Sequence, residues 1–127
     1  MQISDLPRQP SLLIRISREW RPGLTDAQLY ERVRRYWKIN PLQRSIQPNL
    51  AYGLAGGVIR AVYAIDAWET YDMALARKSD DRLDQTPHAS GRRIGFVGSP
   101  EPDLQHLIGM ALLDAPKSQN PVTYLHC

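Results

Sequence analysis

The chain has 127 residues, is 43% hydrophobic, and sets 16 basic against 13 acidic residues for a net charge of +3. That size suits one domain, 1–127, which can bury a core without metals or disulfides, and the single cysteine, Cys127, has no disulfide partner in the sequence. No stretch approaches the ~20 apolar residues of a membrane span, and residues 1–10 lack an apolar signal-peptide core, so a cytoplasmic protein in a reducing compartment is expected.

The kind of cation says more than the count. Thirteen of the basic residues are arginine and three are lysine (Lys38, Lys78, Lys117). Arginine presents a planar fork to phosphates and carboxylates and stacks on rings. A GC-rich genome also enriches arginine, so the positions of these residues carry the information.

In chain order, residues 11–16 (SLLIRI) read as a first strand, closed by the Pro22-Gly23 turn. Thr25 with Gln28 makes a capping box for a helix whose stripe is Leu29, Val33 and Trp37, with Tyr30 and Tyr36 beside it. Arg32, Arg34, Arg35 and Lys38 collect in its last turns, where cations suit the helix dipole. The helix is expected to stop by Asn40-Pro41. Residues 51–54, Gly56-Gly57 and residues 58–65 read as strand, turn, strand. Alternation in the second strand puts Val58, Arg60, Val62 and Ala64 on one face, which strands Arg60 among apolar neighbours. The DAWE segment (66–69) closes that strand.

Residues 70–90 have mixed charge and no apolar periodicity, which predicts a long surface loop or flexible insert. A strand follows at 93–97. A second helix is expected from Ser99 as cap and Pro100 at the first position, with a stripe of Leu104, Leu107, Ile108, Ala111 and Leu112. Gln119-Asn120-Pro121 reads as a turn before a last strand at 122–125. The order β-α-β-β-loop-β-α-β predicts an α+β domain: a small mixed sheet or partly open barrel with two main helices.

Catalytic signatures are sparse. His88, His106 and His126 stand singly without metal-ligand spacing, and no cofactor motif is present. The glycines of 53–57 suit a hairpin corner better than a phosphate loop. Asp66 and Glu69 bracket Trp68, and an acid beside tryptophan can have a raised pKa, so these two with Lys38 form the enzyme reading, a small nucleoside hydrolase or ribonuclease. The aromatics point elsewhere. Arg18-Glu19-Trp20-Arg21, Arg34-Arg35-Tyr36-Trp37-Lys38 and Arg60 near Tyr63 interleave cations with rings, the ingredients of nucleic-acid binding. A third reading is an interaction subunit for an acidic protein partner.

Five stretches in order, LLIRISREW (12–20), LYERVRRYWKI (29–39), AYGLAGGVIRAVYAIDAW (51–68), RIGFVG (93–98) and SQNPVTYL (118–125), resemble the uncharacterised domain that follows a GIY-YIG nuclease domain in some bacterial proteins. The middle segment is also similar to the strand pair of PUA-like domains of the ASCH and EVE branches, which bind RNA or modified bases in DNA. The resemblance implies a PUA-like fold and a nucleic-acid-facing accessory module whose contacts include Arg15, Trp20, Trp37, Lys38, Arg60, Trp68, Gln119 and Asn120. The GIY and YIG motifs are absent, and so is the lysine-centred ASCH motif around Trp37-Lys38, so no cleavage activity carries over.

Overall fold

A computed structural model describes residues 1–39, 41, 44–70, 93–117 and 120–127. The expected loop at 70–90, apart from Thr70, lies outside the described residues, as do His88 and Gln119. The described chain forms an α+β fold on one open, mixed five-stranded sheet. Its strands are β1 (Ser11–Arg15), β2 (Leu50–Ala55), β3 (Val58–Thr70), β4 (Ile94–Pro100) and β5 (Val122–Leu125), in the order β4-β3-β2-β1-β5. β1 and β2 run parallel, joined across α1 (Asp26–Arg34), and the other pairs are antiparallel. The sheet does not close into a barrel.

Each face of the sheet carries its own apolar layer. Leu12, Ile14, Ala51, Ala61, Tyr63, Phe96 and Val122 face α1, which supplies Val33, Leu29 and Tyr30. Leu13, Tyr52, Leu54, Ile59 and Val62 face the N-terminal segment and the chain after β4, which supply Leu6, Leu107 and Leu112. β1 and β2 are buried on both sides, as strands covered on two faces should be. Close approach of α1 requires Gly53, since a Cβ there would meet Val33 Cγ2 at 2.7 Å.

The α1 start matches its sequence signal. Thr25 Oγ1 accepts from Gln28 N (3.1 Å), and Gln28 Oε1 accepts from Thr25 N (3.0 Å). The end does not. α1 stops at Arg34 and Arg35 is extended, because the backbone of Trp37 pairs with Ile94 in both directions, at 2.8 and 3.0 Å. Pairing to the sheet edge thus displaces the last helical turn expected from the Trp37 periodicity.

A second correction concerns the helix expected from Ser99. Ser99 and Pro100 belong to β4, opposite Ala64 and Tyr63, and the helix is a six-residue 3-10 turn, Pro102–Leu107, capped by Glu101. Gly109 (φ +96°) then turns the chain, which leaves Ile108 and Met110 exposed while Leu112 returns to the core. The Gly56-Gly57 hairpin is as expected. Both residues have positive φ, the pattern of a two-residue turn between twisted strands.

Two bulges redirect β3. Gly53 pairs with Ala61 and Leu54 with Ile59, so Arg60 has no partner across the ladder, and the expected face shared by Val58, Arg60 and Val62 is broken there. Ile65 pairs with Gly98 and Ala67 with Val97, which leaves Asp66 at the second bulge.

Candidate functional site

The arginine-aromatic run at the end of α1 divides into two environments. Arg34 is only 6% exposed and is fully engaged: Nε donates to Phe96 O (3.0 Å), Nη1 to Glu31 Oε1 (3.1 Å) and Nη2 to Glu69 Oε2 (3.0 Å). The Tyr36 hydroxyl donates to the other Glu69 oxygen (3.2 Å), and Arg35 Nε pairs with Glu31 (3.1 Å). Burial works against the Arg34 charge, but Glu31 and Glu69 more than offset it and hold the guanidinium above its ordinary pKa. Burial likewise pushes Tyr36 up and keeps it a donor.

This cluster is structural in character. Its cation and its buried carboxylate satisfy each other, and the Arg34 carbonyl rests so close to β4 that a Cβ on Gly95 would sit 2.5 Å from it. Glu69, 3% exposed, is therefore the carboxylate end of a buried ion pair. Lys38 lines a different cavity from Glu69, and Asp66 is exposed at its bulge, so the lysine-carboxylate grouping of the enzyme reading is not assembled.

Trp20 and Arg60 do meet. The Arg60 guanidinium carbon lies 3.9 Å from the Trp20 ring centroid, and Nε donates to Ala55 O (3.3 Å). Trp68 does not join them. It packs against the α1-side core near the other end of β3, eight residues from Arg60 and so roughly 25 Å along an extended strand.

The second environment lies just past Arg35. Trp37, Lys38, Arg93, Asn120, Pro121 and Val122 line a cavity of about 450 Å³ that has no carboxylate among its described lining residues. Trp37 is oriented by its indole N–H, which donates to Val33 O (3.0 Å). Arg93 Nη1 donates to Tyr36 O (3.2 Å), while its Nε is buried without a partner. Asn120 anchors the rim: its side-chain oxygen accepts from Val122 N (3.0 Å) and its carbonyl from Arg15 Nη2 (2.9 Å). Arg15 itself lines a neighbouring hollow of about 390 Å³ with Lys117.

The expected site residues thus fall into groups. Trp37, Lys38 and Asn120 share one cavity with Arg15 at its edge; Trp20 and Arg60 pair elsewhere; Arg34 and Arg35 belong to the ion cluster. Arg93 was missed by sequence reasoning. Its only signal was the Arg92-Arg93 pair ahead of a short strand, and its significance depends on the backbone bridge that brings residue 37 beside residue 94. Among the described residues no group of histidine, cysteine and carboxylate side chains could hold a metal, and no helix is long and apolar enough to cross a membrane. Comparison of the chain with protein-family models, with curated proteins and with solved structures gives no match.

Proposed function

We propose that this domain binds nucleic acid through its sugar-phosphate backbone, with the cavity of Trp37, Lys38, Arg93 and Asn120 as the contact. The observation that carries the reading is that Arg93 and Lys38 line one cavity whose described lining has no carboxylate. An anion seated in the cavity would meet two cations with no described carboxylate competing for them. Phosphate oxygens suit the purpose, since lysine meets them as a point charge and arginine as a fork. The Trp37 indole gives the cavity a flat apolar wall on which a sugar or base can lie. The resemblance of five segments to the domain that follows GIY-YIG nucleases supports the same reading.

The test is a fluorescence-anisotropy titration of single- and double-stranded DNA and RNA oligonucleotides at several salt concentrations. Binding should weaken linearly in log-log form as salt rises, with a slope that counts the phosphates neutralised. Arg93→Ala and Lys38→Ala should each lower that slope by about one. Absence of binding to all four at low salt would overturn the proposal.

A further inference from the structure

Arg60, stacked on Trp20, lines a pocket that the proposed backbone contact does not use. It has a volume of about 310 Å³, lies between the start of α1, β3, the end of β4 and the 3-10 turn after it, and shares no described lining residue with the Lys38 cavity. That volume is at the small end of the range for small-molecule sites.

Its chemistry is specific. Arg60 reaches it because the bulge at residue 60 takes the side chain out of the strand alternation. One face of the guanidinium is covered by the Trp20 ring and its Nε is tied to Ala55 O, while no described carboxylate forms an ion pair with it. The fork is held in place, and its terminal nitrogens have no hydrogen-bond or ion-pair partner among the described residues. Two tyrosines locked edge to face, Tyr30 and the largely buried Tyr63, line the same pocket, with ring centroids 5.2 Å apart at 67°. The Tyr30 hydroxyl accepts from Gly98 N (2.9 Å), and Gln105 Nε2 fixes the wall through Val62 O (3.0 Å) and Glu101 O (2.8 Å). Burial pushes the Tyr63 hydroxyl above the ordinary tyrosine range, so this ring stays neutral in the pocket.

We propose that this pocket binds a small planar aromatic carboxylate, its carboxylate on the Arg60 fork and its ring against Tyr30 and Tyr63. Arginine matches a carboxylate with two parallel hydrogen bonds. Edge and face packing against the tyrosines selects a flat ring over an aliphatic chain. Asp26 lines the same pocket from the first turn of α1 and is exposed. It therefore opposes the anion modestly, through solvent.

The experiment follows backbone amide NMR shifts of Ala61, Tyr63 and Gly98 in the full chain during titration with 4-hydroxybenzoate, 4-hydroxybenzamide and acetate. The aromatic carboxylate should bind at least about tenfold more tightly than the amide or acetate, a difference of ~1.4 kcal/mol. Arg60→Met, which keeps the apolar stem, should abolish the advantage over the amide, and Asp26→Asn should tighten carboxylate binding about twofold. Unchanged circular dichroism and amide binding in Arg60→Met establish that the variant is folded. Arg60→Lys should fall between the two, since it retains charge without the fork. Equal affinity of acid and amide, an Arg60→Met variant that binds the acid as the parent does, or no shifts with any probe at about 10 mM would overturn the proposal. The Lys38 cavity is separate, so nucleic-acid binding should be the same with and without 4-hydroxybenzoate, and either site can fail alone.

Discussion

Arg34 and Lys38 lie four residues apart at the end of one arginine-rich run, yet they occupy opposite kinds of site. Around Arg34 each guanidinium nitrogen meets an internal acceptor, in a buried cluster closed by Glu31, Glu69, Tyr36 and the Phe96 carbonyl. Around Lys38 and Arg93 cationic donors outnumber internal acceptors, in a cavity open to a ligand. The same composition therefore serves stability at one position and supplies binding capacity at the other. What separates them is the end of α1: the last helical residue is Arg34, and the extended backbone from Arg35 carries the chain away from the carboxylates toward β4 and β5.

The sharpest way to break this comparison is to unpair the buried cluster. Glu69→Gln removes the buried countercharge of Arg34 in a site where the Arg34 side chain is only 8% exposed. Loss of one partner of a buried pair costs about 3 kcal/mol. The urea midpoint should fall accordingly, at unchanged slope. An Arg34→Met/Glu69→Leu double variant should be less destabilised than either single change, because neither charge is then left alone. If Glu69→Gln unfolds like the parent, the cluster is not structural.

Smaller effects probe how α1 is held over the sheet. Gly95→Ala places a Cβ 2.5 Å from the Arg34 carbonyl and 3.1 Å from Arg35 Cβ. Neither atom is the loose end of a side chain, so the helix end must move, at a cost of about 2 kcal/mol. Thr25→Ala removes the cap accepted by Gln28 N and should cost about 1 kcal/mol. Both are read as shifts of the same urea midpoint. Loosening the helix end through Gly95 should also weaken nucleic-acid binding, since Trp37 and Ile94 share one bridge, whereas loosening the helix start should not.

Much of this architecture was legible in the chain. The Thr25-Gln28 box, the two-glycine hairpin and the short apolar runs of β1, β2 and β5 are local signals, and local chemistry decides them. The misses share one physical cause, which is pairing between residues far apart in sequence. Trp37 continues the helical period on paper, but Ile94 offers it two backbone hydrogen bonds. Ser99-Pro100 looks like a helix start, but Ala64 and Tyr63 keep it in the sheet. Arg60 follows strand alternation until a bulge, invisible in the sequence, turns it onto Trp20. The candidate site was legible as a list of cations and rings. Its grouping was not, because Arg93 and Asn120 reach Lys38 only through the sheet.

The smallest expected change in stability is also the most informative about function. Lys38 is exposed and forms no ion pair among the described residues, so Lys38→Ala should leave stability within about 0.5 kcal/mol. Its effect belongs on the other side of the comparison. If the ammonium neutralises one phosphate, the slope of log affinity against log salt should drop by about one, with all sequences weakened alike. Arg34→Met supplies the contrast. It should lose stability heavily, yet, wherever it remains folded, keep the parent slope, because the Arg34 guanidinium is buried and paired with Glu31 and Glu69. A slope that falls for Arg34→Met and holds for Lys38→Ala would reverse the assignment of the two environments.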